Sequence, residues 1–253
     1  MTLDARSTDD TARDVRVSDL DRDRTPPKHD ARWTLGFSRT DAAEDLDARG
    51  RHLTYGARET ILDEGDPART VNRILEGAVM LSKLLPDGRR QIIELLGPGD
   101  VFGITTTRAY DVSVEALTPV RLVAYERSVV ETNPALQAMV TNSLRAQMCA
   151  LHDHAVLLGR KSAIERVATF LMRLVPNRGG EGCAGPGRGV ARDQVNVKVP
   201  LTRQEIADYL GLTLETVSRA FSHLKRDGLL VYGRHDEVMI SNVCKLCRAT
   251  GSH

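Results

Sequence analysis

At 253 residues, with 41% apolar and 27% charged side chains, the chain is long enough to bury a real core and to form two domains. Its formal net charge of +1 excludes a protein that coats nucleic acid electrostatically, but not a sequence-specific module whose phosphate contacts are local and offset by acidic charge elsewhere. It has no secretory apolar region and no apolar run near the ~20 residues of a membrane span, so a cytoplasmic protein with reduced thiols is expected.

The acidic offset lies at the start. The first fifty residues carry nine Lys or Arg against twelve Asp or Glu, with few apolar positions and no cysteine. Residues 1–47 therefore read as a disordered charged extension. From 48 to 132 the pattern changes to short apolar runs, such as 79–85 and 91–96, punctuated by Glu64-Gly65-Asp66-Pro67, Glu76-Gly77, Pro86-Asp87-Gly88 and Gly97-Pro98-Gly99-Asp100. Many short strands with such turns predict a β-barrel or jelly roll.

Residues 133–159 predict one long helix, with Asn133 as its cap, Pro134 at its first position and Gly159 as its stop. Leu144, Met148, Leu151, Ala155 and Leu158 recur at alternating four- and three-residue steps, the seam of a two-stranded coiled coil. A helix packed only on its own barrel has no need of that spacing, so the seam predicts a homodimer. Cys149 is expected to be a buried small residue beside it. His152 and His154 fall on different faces and make no joint metal site.

Residues 160–243 read as a second domain. In RKSAIERVATFLMRLV, Ile164, Val167, Ala168, Leu171 and Leu174 form a core face. The Gly- and Pro-rich run 177–189 is expected to be an exposed loop that leaves Cys183 open to oxidation, and Val195, Val197 and Val199 alternate as a strand. Next, Thr202 and Glu205 form a capping box, Ile206, Ala207 and Leu210 share a face, and Gly211 sits where a C-terminal cap needs positive φ. Thr213 caps a second helix with an apolar stripe of Leu214, Val217, Phe221 and Leu224. Two short helices joined by a Gly turn predict a helix-turn-helix.

Its outer face carries the chemistry. Glu215, Ser218 and Arg219, at i, i+3 and i+4, reach neighbouring base edges from an inserted helix, with Thr213, Thr216 and Ser222 flanking them. Arg presents a fork to guanine O6 and N7, Glu accepts from the cytosine amine, and Ser suits either kind of edge. Two strands flanking Gly233-Arg234-His235-Asp236 predict a wing in which Arg234 or His235 meets phosphate. Residues 244–253 read as a tail whose Cys244 and Cys247 form a lone CxxC; with Cys183 they are the redox candidates. Even with His253 the pair falls short of the four ligands of a structural zinc site.

The run RQEIADYLGLTLETVSRAFSHLKRDGLL resembles the DNA-binding segment of the CRP/FNR family of bacterial transcription regulators, its FixK-like branch above all. ILxEGDPA, LEGAVxLSKLLPDGRRQI and LGPGDVFG resemble the same family's β-roll. The resemblance implies an α+β fold with a cyclic-nucleotide-binding-type β-roll (jelly roll), a dimerisation helix and a winged helix-turn-helix. It implies double-stranded DNA and RNA polymerase as partners, a TTGA-like half-site read by Glu215, Ser218 and Arg219, mainly activation, and genes of low-oxygen or nitrogen-oxide metabolism. Two departures matter. Relatives that bind cyclic AMP use a Gly-Glu and an Arg-Ser pair, whereas here Ile104 follows Gly103 and Asp111 stands where the cation is needed; Arg108 alone reads as a surface residue. Relatives with an iron–sulfur cluster use N-terminal cysteines absent here. Neither cyclic nucleotide nor any cofactor is expected, no catalytic or metal site is assigned, and no ligand pair stands out for haem. The rivals are an effector-gated repressor of this fold and a barrel metalloenzyme, for which the roll offers only His52.

Overall fold

The computed structural model describes residues 46–176, 193–233 and 236–251. The extension up to residue 45, the loop with Cys183, and Arg234, His235 and His253 lie outside the described residues. Eight strands build the roll: β1 (Arg51–Tyr55), β2 (Thr60–Leu62), β3 (Thr70–Glu76), β4 (Val79–Leu84), β5 (Arg90–Leu96), β6 (Val101–Phe102), β7 (Ser113–Ala116) and β8 (Val120–Glu126). They pair antiparallel in two four-stranded sheets, ordered β1-β8-β3-β6 and β2-β7-β4-β5. Turn glycines make this possible: Gly77 has φ 86, and a Cβ there would lie 2.2 Å from the Pro119 carbonyl oxygen.

Strand alternation sorts the core into three layers. Inward residues Ile74, Val79, Leu81, Leu96, Phe102, Val114 and Leu122 fill the space between the sheets. The outer face of the first sheet, through Val71, Val101, Val123 and Tyr125, packs beneath Val130 of α1 (Arg127–Thr132) and Leu136 of α2 (Pro134–Arg160). The outer face of the second sheet, through Ala78, Met80, Ile92 and Leu117, joins the core of the C-terminal domain.

That domain comprises α3 (Ala163–Arg173), β9 (Val195–Lys198), α4 (Arg203–Leu210), α5 (Leu214–Arg226), β10 (Leu230–Tyr232), β11 (Glu237–Ile240) and α6 (Val243–Arg248), its sheet ordered β10-β11-β9. Phe170, Leu171, Ile206, Leu210, Phe221 and Leu246 lie at its centre. No helix among the described residues is long and apolar enough to cross a membrane.

Several expectations need correcting. The extension does not run to residue 47: Leu46 packs on the first sheet, and Asp47 forms a 2.5 Å ion pair with Arg73 and accepts from the Tyr125 hydroxyl at 3.0 Å. Gly159 does not stop α2, which ends where Lys161 turns extended and the Ser162–Glu165 capping box opens α3. A helical glycine costs only about 1 kcal/mol, less than the neighbouring cap contributes together with the core contacts. Residues 244–248 are not tail but helix, capped by Asn242 and anchored by buried Val243 and Leu246. Leu214 is 47% exposed, because the first turn of α5 projects beyond the core and Ala220 fills the stripe instead. Cys149 is exposed on α2 rather than buried.

Candidate nucleic-acid interface

The helix pair is set by local chemistry. The Thr202 hydroxyl accepts from the Glu205 N–H at 3.2 Å while the Glu205 carboxylate accepts from the Thr202 N–H at 2.7 Å, so both ends of the capping box are made. Burial raises the Glu205 pKa, but the Thr202 N–H and the Arg58 guanidinium outweigh it and hold the carboxyl below its ordinary value. Gly211 closes α4 in the left-handed region at φ 60. Thr213 accepts from the Thr216 N–H at 3.2 Å and opens α5.

Val217, Ala220, Phe221 and Leu224 bury one side of α5, which leaves Thr213, Glu215, Ser218, Arg219 and Ser222 exposed on the other, with Thr216 half-buried among them. Arg219 Nη2 lies 2.5 Å from Glu215 Oε1, and these side chains are 78% and 72% exposed. A pair so exposed adds little stability. It does align a guanidinium fork and a carboxylate along one helix edge, where a base edge can compete for each. Ser222 Oγ donates to the Ser218 carbonyl at 2.9 Å.

Two arginines that the sequence did not single out shape this face. The Arg203 guanidinium lies 3.3 Å from the centroid of the Phe221 ring and 5.7 Å from that of Tyr232, tying α4 to α5 and to the wing strand β10. Burial lowers its pKa, while the Tyr232 side chain opposes that shift. Arg166 reaches four main-chain carbonyls. It donates to Leu158 at 2.6 Å and Lys161 at 2.9 Å at the end of α2, and to Leu210 at 2.9 Å and Gly211 at 3.4 Å at the turn of the motif.

The long helix has two different sides. One faces the roll, where Ser143 accepts from the Val101 N–H at 3.1 Å and Gln147 donates to the Val101 carbonyl at 2.7 Å. The other carries the predicted seam, with Leu144 40%, Met148 52% and Leu151 36% exposed and Ala155 exposed beside them. Leu158 departs from the seam and packs half-buried on the C-terminal domain. His152 is exposed, whereas His154 is buried and stacks on Tyr209 at 4.4 Å. Burial, with help from Arg173, pushes the His154 pKa down to about 4.

In the roll, the stretch matching the phosphate cradle is partly buried, with residues 106–108 and Asp111 exposed. Tyr110 is buried, its hydroxyl donating to the Thr70 carbonyl at 3.1 Å, while Arg127 donates to the Thr107 and Thr105 carbonyls at 2.9 and 3.0 Å. Arg108 and Asp111 are exposed, and the space between the sheets is filled by aliphatic and aromatic side chains. His52 bonds the Asp47 carbonyl at 3.0 Å. Cys244 and Cys247 stand half-buried one turn apart on α6, and among the described residues no cluster of three His, Cys, Asp or Glu is placed to hold a metal ion.

A family model described as the Crp-like helix-turn-helix domain matches residues 165–249, and one described as the cyclic nucleotide-binding domain matches 52–132. The chain is 37% identical over 203 residues to the nitrogen fixation regulation protein FixK of Bradyrhizobium diazoefficiens, covering 76% of this chain and 80% of that protein. It is 35% identical over 192 residues to the transcriptional activatory protein AadR of Rhodopseudomonas palustris, covering 74% and 77%. Its fold is similar to the solved structure of FixK2 from Bradyrhizobium japonicum, with a TM-score of 0.64 and 34% identity over 81% of this chain and 98% of that one. A roll, a long helix and a winged helix-turn-helix, matched along most of its length by regulators of one kind, make the chain a member of the CRP/FNR family, on its FixK-like branch: a DNA-binding transcription regulator and not an enzyme.

Proposed function

We propose that the protein works in the cytoplasm as a homodimer on a TTGAT-N4-ATCAA-like inverted repeat, mainly activating transcription through contact with RNA polymerase at genes of low-oxygen or nitrogen-oxide metabolism. The observation that carries this is the pairing of two exposed surfaces. The α5 face presents Glu215, Ser218 and Arg219, and the α2 stripe presents Leu144, Met148 and Leu151. A dimer closed along that stripe is two-fold, sets its recognition helices about one DNA turn apart and requires an inverted repeat. Arg219 takes the half-site guanine, Glu215 the cytosine amine and Ser218 either neighbour, while Thr213, Thr216 and Ser222 flank the contact.

The names of the relatives support the sign of regulation, since AadR is a transcriptional activatory protein and FnrL of Cereibacter sphaeroides, 32% identical over 206 residues, a transcriptional activator protein. The apolar filling of the roll and the exposure of Arg108 and Asp111 support DNA binding without a cyclic nucleotide. The test is selection of bound duplexes from a random pool by purified protein with no effector added. Recovery of an inverted TTGA-like repeat is expected. Recovery of unpaired or unrelated sites, or binding only after a small molecule is added, refutes this reading.

A further inference from the structure

The first helix of the DNA-reading motif is gripped from outside its own domain. Arg58, in the turn between β1 and β2, is the one non-glycine residue among the described residues with a left-handed backbone, at φ 70. That conformation costs a residue with a Cβ about 1 to 2 kcal/mol and persists where its surroundings hold it. Its N–H donates to the Ala116 carbonyl at 2.7 Å. Its guanidinium donates to the Pro200 carbonyl at 2.9 Å and to the Glu205 carboxylate, with Glu115 at 3.7 Å.

A second grip comes from β5. Arg90 Nε donates to Asp208 Oδ2 at 3.0 Å, and Gln91 donates to the Tyr209 carbonyl at 3.5 Å. Glu205 and Asp208 keep only 7% and 11% of their side-chain surface in water. Their arginine partners stay 40% and 32% exposed, so each pair is half-solvated and adds little net stability, and its value lies in fixing one arrangement over others. Beneath them Met80 and Ile92 of the roll belong to the same apolar cluster as Ile206 and Leu210 of α4. Both grips fall on α4, and the reading face of α5 stays open.

We propose that Arg58 and Arg90 are positioning residues for DNA recognition, locking the winged domain on the roll in the orientation that lets both halves of a dimer engage paired half-sites with no effector bound. The inference rests on the dimeric reading above. A winged domain on a loose joint samples many orientations, and two-site binding weakens by the fraction of time both readers are aligned. Arginines that hold α4 remove that loss in advance, as preorganisation does for any bivalent binder.

The experiment measures binding of the full chain to duplexes carrying one half-site, and to duplexes carrying two half-sites separated by roughly two to six base pairs. The unmodified protein is expected to favour one spacing sharply. R58A/R90A is expected to lose about tenfold or more at that spacing and to flatten the preference, with half-site affinity held within about twofold. R58K keeps the charge but not the fork, and is expected to recover only part of the loss. Circular dichroism and sedimentation report whether each variant stays folded and dimeric; the single variants R58K and R90A carry the test should the double variant unfold. An unchanged spacing preference overturns the proposal, as does tighter binding, which would make the grips a restraint, or an equal loss on one half-site and two. Failure of the unmodified protein to recognise either duplex overturns instead the reading of Glu215, Ser218 and Arg219.

Discussion

Replacing Glu94 by glutamine should stabilise the protein, and increasingly so as pH rises from about 4.5 to about 7. Glu94 lies half-buried on β5, near Asp100 and close enough to raise the Tyr209 pKa from below α4. Burial and the Asp100 charge push its carboxyl up to about 7 from an ordinary 4.5. Asp100, buried and partly compensated by the Gly97 N–H at 3.0 Å, is pushed up to about 6. An acid whose folded pKa exceeds its unfolded one still holds a proton in the native state after the unfolded chain has released it. Stability therefore falls as pH rises from about 4.5 to about 7, and above that the whole cost is carried. At 1.36 kcal/mol per pKa unit the cost is at most about 3 kcal/mol at pH 8 and under about 1 kcal/mol at pH 5. Glutamine keeps the shape and carries no charge, so urea denaturation followed by circular dichroism should show E94Q ahead by roughly 2 to 3 kcal/mol at pH 8, the gap closing toward pH 5. His154, with its pKa pushed down to about 4, titrates alike in both proteins and cancels. A gap independent of pH, or an E94Q protein weaker at pH 8, refutes the reasoning.

Arg219→Ala should lose roughly 1 to 3 kcal/mol of DNA affinity and relax preference at the half-site guanine in a competition assay against base-substituted duplexes. Leu151→Asp places a charge in the middle of the α2 stripe; sedimentation should show a monomer, with binding to an inverted repeat reduced to that of one half-site. Gly211→Ala forces a Cβ onto a φ of 60 and within 3.4 Å of Leu158, so thermal unfolding should show a loss of about 1 to 2 kcal/mol with the contacts of α5 kept.

Where the sequence was legible, the signal was local. Thr202 with Glu205, Gly211, Thr213, and Asn133 with Pro134 each act within one helical turn, so spacing alone located α2, α4 and α5. An apolar stripe on α2 was legible because Leu144, Met148 and Leu151 repeat on one face, and they are exposed together in the single chain. The grips on α4 were not. Arg58 meets Glu205 across 147 residues and Arg90 meets Asp208 across 118, and an arginine in a loop or at a strand end reads as solvated until its partner is placed. Leu214 misled because periodicity describes a helix of any length, whereas burial depends on where the core stops. Cys244 and Cys247 drew the eye as a CxxC and hid the plainer pattern of Asn242, Val243 and Leu246, a cap followed by two apolar anchors.

Arg166 has a consequence for how such a chain changes over generations. Its four acceptors at Leu158, Lys161, Leu210 and Gly211 are all main-chain carbonyls, which every amino acid supplies. The bonds themselves are indifferent to the side chains at those positions, although packing still holds the fully buried Leu210 and the backbone still holds Gly211 at φ 60. For these four bonds the mutational risk is concentrated in the Arg166 codon, and with it the lever arm that the long helix and the reading motif share.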